Sequence, residues 1–241
     1  MIHIFDTINT LFESLADFVV SKSKEAIARE GRFSFVLSGG SSPKRLYELL
    51  TSEKFKKQIE WTKVDFFFGD ERYVPATDSQ SNFLMAKKTL FDPLKISESQ
   101  IYAIHTKLSP DASASSYQND IQSYFKDKSK SFDFILLGLG DNVHTASLFP
   151  YSSILHEQNA FVKAVFVEEV KMDRITLTAP IINKSKTIAF LVYGAAKAKA
   201  IKHVLLDTPD IEKYPAQLIR PESGELHWFL DQEAANYLTQ L

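Results

Sequence analysis

Apolar residues recur at helical spacing between Thr7 and Arg29, where Ile8, Leu11, Phe12, Leu15, Phe18, Val19 and Ile27 fall on one side. The pattern predicts a long amphipathic first helix with Asp6 as its N-cap. The period then changes. Phe33–Leu37 is a short apolar run ending in Ser38-Gly39-Gly40-Ser41-Ser42-Pro43, after which Leu46, Tyr47, Leu49 and Leu50 resume helical spacing. This predicts strand, tight loop and helix, with Ser42 as N-cap and Pro43 in the first helical position. Val64–Phe68 and residues 132–137 and 187–193 are compact apolar runs of the same kind, each leading into a Gly-containing loop. The polar segment 109–130 predicts a helix with Tyr117, Ile121, Tyr124 and Phe125 on one face. Residues 226–230 predict a last strand, followed by Asp231 as N-cap of a closing Ala-rich helix, and 161–167 with 174–178 an antiparallel pair.

Continuous rather than alternating hydrophobicity is the habit of strands buried on both faces, as in parallel sheets. Strands alternating with helices over the whole length therefore predict an α/β layered fold with a mainly parallel sheet. In such sheets ligands sit beyond the carboxyl ends of the strands, and the informative loops all lie there. Without repeat, low-complexity tract or linker, residues 1–241 are expected to form a single domain.

Composition narrows the function. The chain has 241 residues, 44% hydrophobic and 24% charged, which suits a globular protein with a core of its own. It lacks cysteine, so disulfides and thiolate metal sites are excluded and a cytoplasmic setting is the expectation. No stretch approaches the roughly 20 apolar residues of a membrane span, and the first residues lack the pattern of a secretory leader. A net charge of −2 leaves no footprint for general nucleic-acid binding, so an anionic ligand would need a local pocket.

Three loops could carry chemistry. Ser38-Gly39-Gly40-Ser41-Ser42 combines close backbone approach with hydroxyls and a helix N-terminus, which favour phosphate; a tight capped turn is the structural alternative. Gly69-Asp70-Glu71-Arg72-Tyr73-Val74-Pro75 places Arg72 where it could grip a phosphate bidentately, against the alternative of a solvated charged loop. The segment 137–150 contains Gly138, Gly140, Asp141, Asn142 and His144, the last able to take and return a proton near neutral pH. Arg174 and Lys197, each at a strand terminus, are further candidate cations. His3, His105, His156, His203 and His227 lie in different elements without metal-ligand spacing, so no metal site is expected.

Taken together, Leu-Ser-Gly-Gly-Ser-Ser-Pro (37–43), Gly-Asp-Glu-Arg-Tyr-Val-Pro (69–75), Ser81-Asn82, Leu-Gly-Leu-Gly-x-x-x-His-Thr-Ala-Ser-Leu-Phe-Pro (137–150), Arg-Ile-Thr-Leu-Thr (174–178) and Gly-x-x-Lys (194–197) resemble the 6-phosphogluconolactonase family in order and spacing. The resemblance implies the Rossmann-like, mainly parallel sheet flanked by helices shared with glucosamine-6-phosphate deaminase and ribose-5-phosphate isomerase. It implies hydrolysis of 6-phospho-D-glucono-1,5-lactone to 6-phosphogluconate in the oxidative branch of the pentose phosphate pathway, without a cofactor. His144 is then the general base. Ser38, Gly39, Gly40, Ser41, Ser42, Asp70, Arg72, Asn82, Gly140, Arg174 and Lys197 form the substrate and phosphate site. A small phosphosugar lactone is the expected partner; monomer and homodimer both stay open.

One departure stands out. The family usually has Asp-Gly-His where this chain has Asn142-Val143-His144, so an amide replaces the carboxylate that fixes the histidine tautomer in comparable triads. Either Asp141 substitutes for it, or Asn142 holds the ring itself. Two alternatives follow. A glucosamine-6-phosphate deaminase-like enzyme would resemble the fold, but that family's His-Ile-Ala-Phe-Asn-Glu-Pro motif carries a glutamate, whereas His144-Thr-Ala-Ser-Leu-Phe-Pro150 has no carboxylate, and Arg72 stands where the deaminases usually have tyrosine. A non-catalytic sugar-phosphate sensor with a decayed acid–base unit is the other, favoured by Asn142 and Val143.

Overall fold

The computed structural model describes residues 1–126 and 131–238. In chain order the regular elements are β1 (Ile2–Phe5), α1 (Ile8–Glu30), β2 (Phe33–Leu37), α2 (Ser41–Leu50), β3 (Val64–Phe68), β4 (Asp70–Arg72), α3 (Asn82–Ala86), α4 (Asp92–Leu94), α5 (Pro110–Tyr124), β5 (Phe134–Leu137), β6 (Val162–Val167), β7 (Met172–Leu177), α6 (Ala179–Asn183), β8 (Thr187–Val192), α7 (Ala198–Leu205) and β9 (Glu225–Asp231), joined by turns, short 3₁₀ segments and, between α3 and α4, a π-helical turn (Lys87–Phe91). Six strands form a parallel sheet in the order β1-β9-β8-β5-β2-β3. This is the α/β architecture that the apolar runs predict. Every residue of β2, β3, β5 and β8 is buried, which is why these segments tolerate so little polarity. Aromatic rings fill much of the core, with Phe190 stacked on Trp228 at 3.9 Å and Phe35 edge-on to Phe134 at 5.4 Å.

A second, three-stranded antiparallel sheet, β4-β7-β6, leaves the first at Gly69. The Gly69 N–H donates to the Leu37 carbonyl, while its own carbonyl accepts from the Leu177 N–H, so one residue serves both sheets. The predicted antiparallel pair is β6 with β7, and β4 adds to its edge.

Several predicted boundaries move. The first helix is capped by Thr7, not Asp6: Thr7 and Thr10 exchange side-chain and backbone hydrogen bonds in a reciprocal box, and Asp6 accepts from Gln232 instead. The second helix begins at Ser41 with Gly40 (φ 103°) as N-cap, so Ser42 and Pro43 lie within its first turn. The 109–130 helix has Ser109 as N-cap and ends at Tyr124; residues 127–130 lie outside the described residues. No closing helix forms over 232–238, which runs as turns, and 239–241 lie outside the described residues. Asp231 does accept from Ala234 N, as a cap would, but so few residues do not propagate a helix, and its carboxylate also holds Gly194 N.

Candidate active site

Chain connections leave β2 towards β3 on one side, while β5 lies on the other and leads on to β8 and β9, so the topological switch lies between β2 and β5. The loops after these strands face each other across a cavity of about 400 Å³ lined by Ser38, Gly39, Gly40, Ser41, Ser42, Asp70, Arg72, Gly138, Gly140, His144, Arg174 and Lys197, among others. A larger cleft of about 1330 Å³ opens on the far side of Asn142, sharing Phe149 and Glu169 but holding no arginine. The cations and the imidazole converge on the smaller one.

Each wall has a local cause. Tyr47, fully buried in α2, accepts from the Ser38 N–H and donates to the Ser38 carbonyl, both at 2.9 Å, and burial keeps its phenol protonated. That fixes where the glycine loop starts. A Cβ on Gly39 would fall 2.0 Å from Asn82 Oδ1, so glycine is needed for the loop to lie against Asn82. Asn82 itself is 2% exposed and stands behind the loop rather than in the cavity, donating to the Asp70 carbonyl and carboxylate. Helix α2 begins at the loop with no side chain capping its first turn, leaving its positive end to the cavity.

Arg72 and Arg174 are direct partners in the β4–β7 ladder. Like charges placed opposite each other destabilise a sheet, and the Nε atoms of both arginines are buried without a hydrogen-bond partner. Burial lowers the Arg174 pKa, with Asp70 opposing and Arg72 reinforcing the shift, yet a guanidinium stays charged at neutral pH. Such an arrangement is incomplete without an anion. Neighbouring acids are already committed. Asp70 accepts from Ser147 Oγ at 2.6 Å and from Asn82, while buried Glu71 accepts from the backbone N–H groups of Arg72, Asn82 and Phe83, each at 2.8 Å, and so caps α3. Asp70 therefore orders the wall on which the cations stand, where its charge would repel a phosphate.

His144 hangs from a tight loop after β5. Gly140 N donates to the His144 carbonyl and Val143 N to the Gly140 carbonyl, folding the chain so closely that a Cβ on Gly140 would lie 2.1 Å from His144 Nδ1. Val143 takes φ 67°, a left-handed conformation that a β-branched residue rarely adopts. The imidazole stacks on Phe149 with centroids 4.0 Å apart, and its Nδ1 lies 2.5 Å from Asn142 Oδ1. Burial pushes the His144 pKa down to about 4; Asp70 and Glu169 act against the shift, Lys197 and Arg174 with it. At neutral pH the ring is uncharged, the form in which it can accept a proton.

Asn142, not Asp141, is thus the neighbour of the imidazole. Asp141 is exposed and pairs with Lys197 Nζ at 2.6 Å, the same ammonium that donates to the Leu139 carbonyl at 2.7 Å. Two groups that sequence reasoning did not single out complete the picture. Ser147 ties the His144 loop to Asp70, a tie that its place in the 137–150 motif could have suggested. Glu169, in the turn between β6 and β7, accepts from Asn142 Nδ2 at 2.6 Å, and no local sequence signal points to it. Among the described residues no three His, Asp or Glu side chains gather as metal ligands would.

The family profile described as glucosamine-6-phosphate isomerases/6-phosphogluconolactonase matches residues 6–228. A curated relative, the 6-phosphogluconolactonase of Synechocystis sp., is 37% identical over 232 residues, covering 95% of this chain and 94% of its own. The 6-phosphogluconolactonase from Trypanosoma cruzi superposes with a TM-score of 0.88 at 30% identity, covering 99% of this chain and 96% of that one. The Trypanosoma brucei 6-phosphogluconolactonase gives 0.85 at 28% identity, with 99% and 98% covered.

Proposed function

The chain belongs to the glucosamine-6-phosphate isomerase/6-phosphogluconolactonase family, and we propose that it hydrolyses 6-phospho-D-glucono-1,5-lactone to 6-phosphogluconate with His144 as general base. One observation carries this assignment: an imidazole held by Asn142 shares a cavity of about 400 Å³ with two cross-strand arginines whose buried Nε atoms lack partners. Arg72, Arg174 and the start of α2 supply the attraction for the phosphate. Anchoring it there turns an encounter between lactone and base into an oriented one.

His144 Nε2 removes a proton from water as the water oxygen adds to the lactone carbonyl carbon. The resulting oxyanion is stabilised by backbone N–H groups of the glycine loops and by nearby positive charge. Collapse of the tetrahedral centre breaks the bond from that carbon to the ring oxygen, which takes the proton back from the imidazolium. The acid formed ionises and leaves. An aldonolactone is an activated ester, so a base weakened by burial is adequate.

The deaminase alternative has no support in the loop following His144, where residues 145–150 bring no carboxylate to the cavity. The sensor alternative requires a lost acid–base unit, whereas Asn142 retains an acceptor on the imidazole. With fresh lactone as substrate, His144→Ala should lower turnover by about 10² to 10⁴. Turnover close to that of the parent would remove His144 from the mechanism.

A further inference from the structure

The hydrogen bonds around Asn142 leave little freedom of direction. A carboxylate only accepts, so the contact between Glu169 Oε2 and Asn142 Nδ2, at 2.6 Å, must be a donation by the amide NH₂. The amide oxygen then has to face the imidazole, and it does, 2.5 Å from His144 Nδ1. An amide oxygen is likewise an acceptor only. His144 must therefore carry its proton on Nδ1, which leaves the Nε2 lone pair for water. If Asn142 were turned over, its NH₂ would donate to Nδ1 and the proton would sit on Nε2, where it disables the base. The His144 backbone N–H, donating to Asn142 Oδ1 at 3.2 Å, and the Glu169 carboxylate behind the amide both select the first state, and Glu169 is the one that brings charge.

We propose that Glu169 is a positioning residue for this reaction, supplying through the Asn142 amide the negative charge and the tautomer selection that a carboxylate at position 142 would supply directly. This rests on His144 being the general base. As the imidazole gains a proton during attack, the Glu169 charge polarises the amide and stabilises the imidazolium. The route suits the place: Glu169 is exposed and lines the cavity, so a bound substrate would exclude water from the pair and strengthen it. The charged and titratable groups facing His144 are Asp70 from β4, Arg174 from β7, Lys197 at the start of α7 and Glu169 itself. Of these, Glu169 is the one joined to the ring through a hydrogen-bonded chain.

The arrangement makes an uncommon demand on position 142. In Asn142→Asp the new carboxylate would stand against Glu169, two like charges at hydrogen-bond distance, and one of them would have to hold a proton. Restoring the common residue therefore should not help unless Glu169 is neutralised as well.

Steady-state lactone hydrolysis and its pH profile should be measured for Glu169→Gln, Asn142→Asp, the combination of the two, and His144→Ala. Glu169→Gln is expected to lower kcat on the order of tenfold, a fraction of what a general base contributes, with KM little changed. Its acid limb should move to lower pH, because a negative charge that favours the imidazolium is gone. Asn142→Asp with Glu169→Gln should exceed Asn142→Asp alone. Ring ¹⁵N shifts of the parent should show the Nδ1–H tautomer, and those of Glu169→Gln a mixture. A kcat and acid limb unchanged in Glu169→Gln, or a double variant whose activity is the product of the two single effects, would overturn the role given to Glu169. Should His144→Ala remain active, the general-base assignment falls; should it be dead while Glu169→Gln is silent, only the positioning role falls.

Discussion

The imidazole of His144 lies nearly parallel to the ring of Phe149, with 4.0 Å between centroids and 16° between planes. Phe149 shields one face of the base from water, and burial is the largest cause that brings its pKa down to about 4. The direction has a kinetic consequence. Only the neutral ring can accept a proton, so lowering the pKa extends the active form further into acid. We expect kcat/KM, once corrected for the second ionisation of the substrate phosphate near pH ~6, to stay level from neutral pH down to about 5 and to fall only as pH approaches 4. An acid limb near the ordinary histidine value would mean that the ring is solvated when it acts.

Opposed arginines should trade stability for affinity. Arg174→Gln relieves the repulsion with Arg72 and unburies a cation, so the ligand-free protein should be as stable as the parent or more so, by up to ~1 kcal/mol. The same change removes a charged phosphate contact worth about 1.5–3 kcal/mol, which corresponds to a KM roughly ten- to a hundredfold higher. Thermal shifts with and without inorganic phosphate read both effects. A parent that phosphate does not stabilise, or an Arg174→Gln variant with unaltered KM, would place the anion elsewhere.

These strands were legible because burial on both faces leaves mainly apolar residues, and Phe33–Leu37, Val64–Phe68 and the run beginning at Thr187 stand at the predicted places. Two short strands were not. Ile2–Phe5 has only two half-buried positions among four residues, too short a pattern to separate from a frayed terminus. Asp70–Arg72 is a strand made wholly of charged residues, whose partners in β7 lie about a hundred positions downstream. In the site, the loops announced themselves by glycine and by residue order. Glu169 did not, because its meaning depends on a contact with Asn142 across 27 positions that only the fold creates.

Val143 holds φ 67° with its side chain 2% exposed, so two effects of opposite sign meet at one residue. The left-handed conformation costs an L-residue about 1–2 kcal/mol, while each buried methyl group stabilises by about 0.8 kcal/mol. Val143→Ala forfeits two carbons, ~1.6 kcal/mol, and keeps the backbone cost. Val143→Gly forfeits three but regains the backbone cost, so it should be at least as stable as Val143→Ala by urea unfolding. The usual order, with alanine ahead by about 1 kcal/mol, would show that the backbone carries no strain there.

A second directed chain joins the first and last strands. Glu225 can only accept, so His227 Nε2 donates to it at 3.2 Å; His227 Nδ1 is then an acceptor, and His3 Nε2 donates to it at 3.0 Å. Both rings are neutral in this scheme. Burial lowers the pKa of each below the ordinary 6.5, helped by the N-terminal ammonium and, at His227, opposed by Glu225. The unfolded chain therefore binds more protons in mildly acidic solution. Stability from the pair is fully present above about pH 6.5 and is lost as pH falls through the lowered values. Replacing His227 by phenylalanine, which suits its contacts with Phe18 and Phe229, removes that ring's titration at the cost of two hydrogen bonds, about 1 kcal/mol each at pH 7. Between pH 7 and pH 5 the unfolding free energy of His227→Phe should decline less steeply than that of the parent. The slope should not vanish, since His144, with its own lowered value, titrates in the same sense. Equal slopes in the two proteins would show that the pair of rings does not couple β1 and β9 to pH.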